Sequence, residues 1–272
     1  FKRGLSEAEL PAATCLENVI FASQVLLGTG LGVMLFQKIS VFTLLAIDAA
    51  SFLVSLLMLW LAGRRFSAPS LPSLEEEEAP AALRWRTLTV RQKRSLLILP
   101  ALAAVGSPAM ALLPALAQQI HPQDAAGLAL PLLFARSLGQ LCGPMLLKKE
   151  SLTRFAARTP RIIVCLGIFL AAYGMLPLLS GWMACALGMI FIAHLASNVL
   201  FAAGTFGVLS SFHITQTASA SGKAWRWQTL SASLFTGIAA AVAAGFGSVA
   251  ALYAVSSAAL VMVALIVRRY RE

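Results

Sequence analysis

Eight apolar runs, separated by polar segments, make up most of this 272-residue chain. Each run approaches the ~20 residues that a helix needs to cross the ~30 Å hydrocarbon core of a bilayer. The runs cover approximately residues 18–37, 41–63, 96–119, 126–147, 161–180, 182–206, 228–247 and 249–267. Because a helix satisfies its own backbone hydrogen bonds within lipid, the pattern predicts an all-α, polytopic membrane protein with eight transmembrane helices.

The basic residues lie almost entirely on one side of this alternation. Of the 21 Lys and Arg residues, 19 fall before the first run, in every second gap, or after the last run. Lys38 lies in an intervening gap, and Arg136 lies inside a run. Membrane proteins concentrate their cations in cytoplasmic loops. We therefore expect a multi-pass protein of the cell's inner (plasma) membrane, with both chain ends in the cytoplasm.

The composition indicates which kinds of partner the protein is expected to have. Hydrophobic residues make up 59% of the chain and charged residues only 12%, against about 25% charged residues in soluble domains. The net charge of +10 arises from cations that flank the apolar runs rather than forming one patch, so the lipid bilayer, and not nucleic acid, is the expected partner. The four cysteines have no metal-ligand spacing, so we expect no metal and no cofactor. No obligate protein partner is indicated.

The longest polar segment divides the runs into two groups. Residues 1–63 contain the first two runs as a helical hairpin, and residues 96–272 contain the other six as a bundle. The segment between them, residues 64–95, carries an acidic stretch at 75–78 and then a basic stretch at 83–94. We interpret it as a charged cytoplasmic linker, whose basic half could lie along the inner membrane surface.

Small residues mark the expected helix contacts. Gly28 and Gly32 form a GxxxG pair in the first run, and Gly139 and Gly143 form a second pair in the fourth run. Small residues at this spacing let helix backbones approach closely in lipid. The two pairs are candidates for packing between the two groups of helices, and static packing within one bundle is the open alternative.

Arg136 is the sharpest candidate for a functional residue, because a charged side chain inside a membrane span is costly. It lies near the middle of the fourth run, with Gln140 one helical turn later. Arg136 could bind an anionic substrate or act on a titrating carboxylate. It could equally be held by a structural partner such as Asp48, or extend toward the membrane surface; the sequence does not decide between these roles.

Three further polar residues lie inside apolar runs. Asp48 is a carboxylate in the second run, and His194 and Asn198 share one face of the sixth. Either titratable group is a candidate for proton coupling. A hydrogen bond that only supports packing is the alternative, and it is the favoured interpretation for both Asp48 and His194.

Enzymatic motifs do not occur in the sequence. It contains no P-loop, no GxGxxG, no HExxH and no GxSxG, and these patterns carry the chemistry of nucleotide use and hydrolysis. We therefore expect a protein that is not an enzyme and has no catalytic residues.

Several stretches together suggest a family. A Leu-Pro pair at residues 10–11 and a Glu-Asn pair at 17–18 precede the glycine-rich LLGTGLGVML, followed by AIDAASFLVSLLML, a long charged loop and six more apolar runs. The chain resembles a transporter of the major facilitator superfamily, in the bacterial exporter branch that includes macrolide-efflux and enterobactin-exporter-like proteins. The resemblance implies that the chain covers helices five to twelve of twelve.

The resemblance also implies a function. Residues 1–63 would be the last two helices of an N-terminal bundle, and 96–272 would be a complete C-terminal bundle. The protein would be a secondary active transporter that exports small amphiphilic or anionic organic molecules by alternating access, with proton-coupled antiport still open. The alternatives are a facilitator or lipid-type transporter of the same fold, or an integral membrane protein that does not transport.

Overall fold

The computed structural model describes residues 8–36, 38–65, 83–120, 125–147, 152, 155 and 158–270. Eight long helices account for most of these residues, and no β-strand occurs among them. The helices are α1 (Leu10–Phe36), α2 (Val41–Arg65), α3 (Val90–Ile120), α4 (Ala125–Met145), α5 (Thr159–Met175), α6 (Met183–Ser211), α7 (Ile214–Phe246) and α8 (Ser248–Arg268). The prediction of an all-α fold is confirmed for the described part of the chain.

Seven of the eight helices, all except α4, are long and apolar enough to cross a membrane. Their apolar surface is also widely exposed. On α2, for example, Phe42 is 85% exposed and Leu59 is 72% exposed. A soluble monomer rarely exposes contiguous apolar surface on this scale, so the fold indicates a membrane protein. The crossing of the bilayer by α4 and the orientation of the helices stay predictions.

The main core lies where α3, α4, α5, α6 and α8 meet. Its largest fully buried side chains include Phe169 and Tyr173 on α5 and Leu116 on α3. A second apolar cluster joins the start of α3 to the end of α6 and the first turns of α7, with Leu96, Phe212 and Ala220 among its members. Helices α3 to α8 are thus packed around one another.

The first two helices differ in how they are packed. α1 lies along α4, and its first turns contact α6, where Leu10 is buried beside Ala203 and Phe206. The apolar stretch of α2, in contrast, has no buried residue. The division of the chain into an N-terminal hairpin, a linker and a C-terminal bundle stays a prediction, since most of the linker lies outside the described residues.

Several helices extend beyond the predicted runs; α1, for example, begins at Leu10 instead of residue 18. α3 begins at Val90, six residues before the predicted start, and α7 begins at Ile214 instead of 228. The segment SASGKAWRW, residues 219–227, lies in a gap between the predicted runs, where a loop is expected, but it is helical in the structure. The 33 residues of α7 make this helix about 50 Å long at 1.5 Å per residue, which exceeds the ~30 Å apolar core of a bilayer. α7 therefore extends well beyond the apolar segment that hydropathy detects.

Tight connections align the ends of neighbouring helices. Gly181 before α6 and Gly247 between α7 and α8 have positive φ angles of 78° and 85°. These conformations are accessible to glycine at little cost. α8 contains one π-helical turn, Leu252–Ser256, after its first four residues.

Candidate functional site: a polar seam between α4, α5 and α6

The glycines of α4 bring its backbone against α6. A Cβ atom at Gly139 would collide with the carbonyl oxygen of Phe191 and would lie 3.0 Å from the Cβ of His194. A Cβ at Gly143 would lie 2.7 Å from the carbonyl oxygen of Leu195 and 3.1 Å from the Cβ of Asn198. Only glycine permits this approach, so the α4 pair sets the register of α4 on α6.

That register places two predicted residues opposite the glycines. His194 faces Gly139, and Asn198 faces Gly143 one turn later. Arg136 and Gln140 each precede one of these glycines by three residues. Residues three apart are neighbours on a helix surface, so both side chains of α4 lie beside the same contact. We call Arg136, Gln140, Tyr173, His194 and Asn198 the polar seam.

Tyr173 on α5 closes the seam from a third helix. Its hydroxyl oxygen lies 2.8 Å from Nε2 of His194, in a hydrogen bond for which the tautomer of the ring decides the donor. Tyr173 and His194 are both almost completely buried. The ring of Phe169 lies 4.7 Å from the ring of Tyr173 and 5.7 Å from that of His194, measured between centroids. The imidazole is therefore held by one hydrogen bond and by contact with the neighbouring aromatic rings.

Arg136 is close enough to act electrostatically on both the Tyr173 hydroxyl and the His194 ring. The side chain is half-buried, and its Nε atom is buried with no hydrogen-bond partner among the described residues. No ion pair joins it to Asp48, which is exposed on α2. The structural alternative in which Asp48 neutralises Arg136 is therefore not formed in the described part of the chain.

Gln140 and Asn198 differ in how they are engaged. Nδ2 of Asn198 donates to the carbonyl oxygen of His194 at 3.0 Å, within its own helix. Gln140 is half-buried, and no hydrogen bond of its side chain is found within the described residues. A buried amide or guanidinium donor without a partner costs free energy. The unpaired Arg136 Nε is thus the donor in this seam that most needs an acceptor.

Gly28 and Gly30 on α1 lie in open surroundings. A Cβ at Gly28 would have no neighbour within 4 Å. Gly32 lies on α1, but its surroundings fall outside the described residues. α1 does run along α4, yet the measured close approach of the α4 glycines is to α6. The role of the two GxxxG pairs between helix groups stays a prediction.

The sequence pointed to Arg136 and His194 but not to Tyr173. A tyrosine within an apolar run is not a distinctive sequence signal, because its ring is apolar and its hydroxyl can form hydrogen bonds with many kinds of partner. The spacing of 21 residues between Tyr173 and His194 reflects the register of two helices, which hydropathy does not encode. The buried pairing became visible only once α5 was placed against α6.

No known protein that resembles this chain was found from which a role for the polar seam could be inferred. Comparison of the chain with known protein families, with curated proteins and with solved structures finds no match. In the described part of the chain, no group of three or more His, Cys, Asp and Glu residues is arranged to hold a metal ion. The chemistry of the seam must therefore be argued from its own groups, which are one permanent cation, one imidazole, one phenol and two amides.

Proposed function

We propose that this protein is a secondary active transporter that exports small anionic or amphiphilic organic molecules across the inner membrane. The observation that carries the proposal is the Arg136 guanidinium, half-buried within a bundle of apolar helices and without a carboxylate partner among the described residues. A permanent cation at such a place is costly unless an anion shares the site. A transported anion would supply that partner during part of each cycle.

The surroundings of Arg136 fit an organic anion better than a small inorganic one. The rings of Phe169 and Tyr173 and the bonded Tyr173–His194 pair are buried in this structure, and under this proposal they are exposed to solute when α4 moves relative to α5. A solute with one acidic group and an apolar body would meet both kinds of surface. Pockets for small molecules commonly combine apolar walls with a few fixed polar groups.

Prolines lie within α4, which carries Arg136 and Gln140, and within the neighbouring α3. α4 contains Pro131 and Pro144, and α3 contains three prolines. Proline removes a backbone hydrogen bond inside a helix, and transporters use helices that can bend or open near the membrane midplane. Under this proposal α4 moves relative to α5, which changes the access of solute to Arg136. Histidine is the residue type in the seam whose ordinary pKa lies nearest physiological pH, so His194 is the candidate for proton coupling.

The test uses two fluorescent dyes of similar size and opposite charge. Cells that lack their major exporters are loaded with 6-carboxyfluorescein, an anionic amphiphile, or with ethidium, a cationic one. The proposal predicts that expression of the full-length protein lowers retention of the anionic dye and not of ethidium. Collapse of the proton gradient separates a coupled exporter, whose effect disappears, from a facilitator, whose effect remains. Equal retention of both dyes with and without expression would contradict the proposal.

A further inference from the structure

Aromatic and basic side chains gather where α3, α7 and α8 come together at one end of the bundle. We call the group the aromatic–basic cluster; its members are Trp85, Lys93, Lys223, Trp227 and Tyr270. The ring of Trp85 lies 5.3 Å from that of Trp227 and 5.8 Å from that of Tyr270. Lys93 Nζ lies 5.9 Å from the Trp85 ring, and Lys223 Nζ lies 5.2 Å from the Trp227 ring. Two ammonium groups thus flank a pair of indoles in contact.

The ammonium groups retain donors for a ligand. Lys223 Nζ donates to the carbonyl oxygen of Leu83 at 2.8 Å, and an ammonium has three donors. The Lys93 ammonium makes no hydrogen bond or ion pair within the described residues. Three carboxylates occur among the described residues: Glu9 just before α1, Glu17 on α1 and Asp48 on α2. The described protein therefore provides no acidic partner for this cluster.

An apolar groove begins one helical turn from the cluster. It has a volume of about 130 Å³ and is open to the surroundings on one side. Leu97 and Pro100 on α3, Ser231 and Phe235 on α7, and Met262 and Ile266 on α8 line it. The cluster and the groove lie about one helical turn apart on each of the three helices. Lys93 precedes Leu97 by four residues, and Trp227 precedes Ser231 by four. Tyr270, just after α8, follows Val267 by three residues.

We propose that the cluster and the groove together bind one anionic phospholipid. The phosphate lies between Lys93 and Lys223, the indoles lie at the boundary between headgroup and acyl chains, and one acyl chain follows the groove along α3. Lysines near an anionic lipid surface contribute attraction, and tryptophan favours this boundary of the bilayer. A soluble anion would satisfy the lysines but leave the groove without an occupant. The lipid satisfies both with one molecule.

Quenching of tryptophan by brominated lipids measures this binding directly. Trp60, Trp182 and Trp225 are replaced by Phe, so that fluorescence reports on Trp85 and Trp227. The protein is reconstituted in phosphatidylcholine vesicles that contain a minor fraction of acyl-brominated phosphatidylglycerol or of acyl-brominated phosphatidylcholine. We expect apparent binding at least about fivefold stronger for the brominated phosphatidylglycerol, as attraction to two lysines implies. Equal quenching by the two lipids would overturn the proposal.

Matched variants locate the preference. Lys93→Gln with Lys223→Gln should abolish it, whereas Arg91→Gln with Arg226→Gln should leave it intact. The control removes the same charge from exposed positions on the same helices. A preference lost equally in both would mean a diffuse basic surface and would overturn the site. Tryptophan emission in the absence of brominated lipid shows whether each variant has kept its fold.

The groove and the source of the phosphate are tested in the same assay. Ser231→Leu should narrow the groove and weaken the quenching without altering the net charge. Added inorganic phosphate should not displace the brominated phosphatidylglycerol. Displacement by phosphate, or undiminished quenching in the Ser231 variant, would show that only a headgroup anion binds and would overturn the proposal. None of these measurements depends on transport.

Discussion

The Tyr173 hydroxyl and Nε2 of His194 are 2.8 Å apart and join α5 to α6 in the interior of the bundle. Both residues are almost completely buried, and the aromatic ring of Phe169 lies against both. The contact holds the imidazole in one orientation beside Arg136 on α4. An anion that binds Arg136 would therefore approach a histidine whose position is already fixed.

Replacement of Tyr173 by Phe should destabilise the protein. The variant keeps the ring and removes the hydroxyl, so Nε2 of His194 remains buried without its partner. Loss of such a partner costs about 1–3 kcal/mol. Equilibrium unfolding in detergent measures the change in the free energy of unfolding. Tyr253→Phe is the control, because its hydroxyl donates to the Gly174 carbonyl oxygen at an exposed position, and we expect a smaller effect. Equal effects would mean that the Tyr173–His194 hydrogen bond contributes no more to the free energy of unfolding than the exposed Tyr253 hydrogen bond.

Replacement of Gly143 by Ala should push α4 away from α6. The new Cβ would lie 2.7 Å from the Leu195 carbonyl oxygen, a backbone atom that cannot rotate aside. We expect a loss of about 1–3 kcal/mol in the free energy of unfolding, which is typical of overpacking. The matched control is Gly167→Ala on α5, where a Cβ would meet nothing within 4 Å. It should be neutral or stabilising by up to ~1 kcal/mol, because Ala favours helix. A Gly143 variant as stable as the control would contradict the close contact.

Single cysteines test the predicted orientation. In a background in which the four native cysteines are replaced by Ser, Ser40→Cys lies between α1 and α2, and Thr87→Cys lies just before α3. Both positions are exposed. With both chain ends in the cytoplasm, Ser40→Cys should react with a membrane-impermeant maleimide in intact spheroplasts. Thr87→Cys should react only after permeabilisation. The reverse labelling pattern would show that the topology is opposite to the one predicted from the distribution of Lys and Arg.

The sequence predicted the helices well because hydropathy acts locally. Seven of the eight runs correspond to helices that are long and apolar enough to span. The N-terminal extension of α7 was missed because its first turns are polar, and a hydropathy window ends where polar residues begin. Helix propensity continues through Ala220 and Ala224, which are buried against the start of α3, so tertiary packing supports the extension.

The site was predictable only in part. Arg136 and His194 could be found from sequence because polar groups inside apolar runs are rare. The partner helix of Gly139 and Gly143 could not, since a small-residue face indicates that some helix approaches without saying which one. Tyr173 required the packing of α5 on α6. The exposure of Asp48 likewise depends on which helices contact α2.

Transport by an Arg136→Ala variant tests the central claim most directly. The full-length protein is reconstituted in proteoliposomes at matched amounts, with Arg226→Ala on the exposed face of α7 as the control for lost charge. Initial rates of 6-carboxyfluorescein flux are measured under an imposed proton gradient. Charge-assisted hydrogen bonds contribute about 1.5–3 kcal/mol, so flux should fall at least about tenfold in the Arg136 variant. The control should retain it, and insertion should be unchanged in both. Flux like that of the unmodified protein in the Arg136 variant would contradict a binding site at the polar seam.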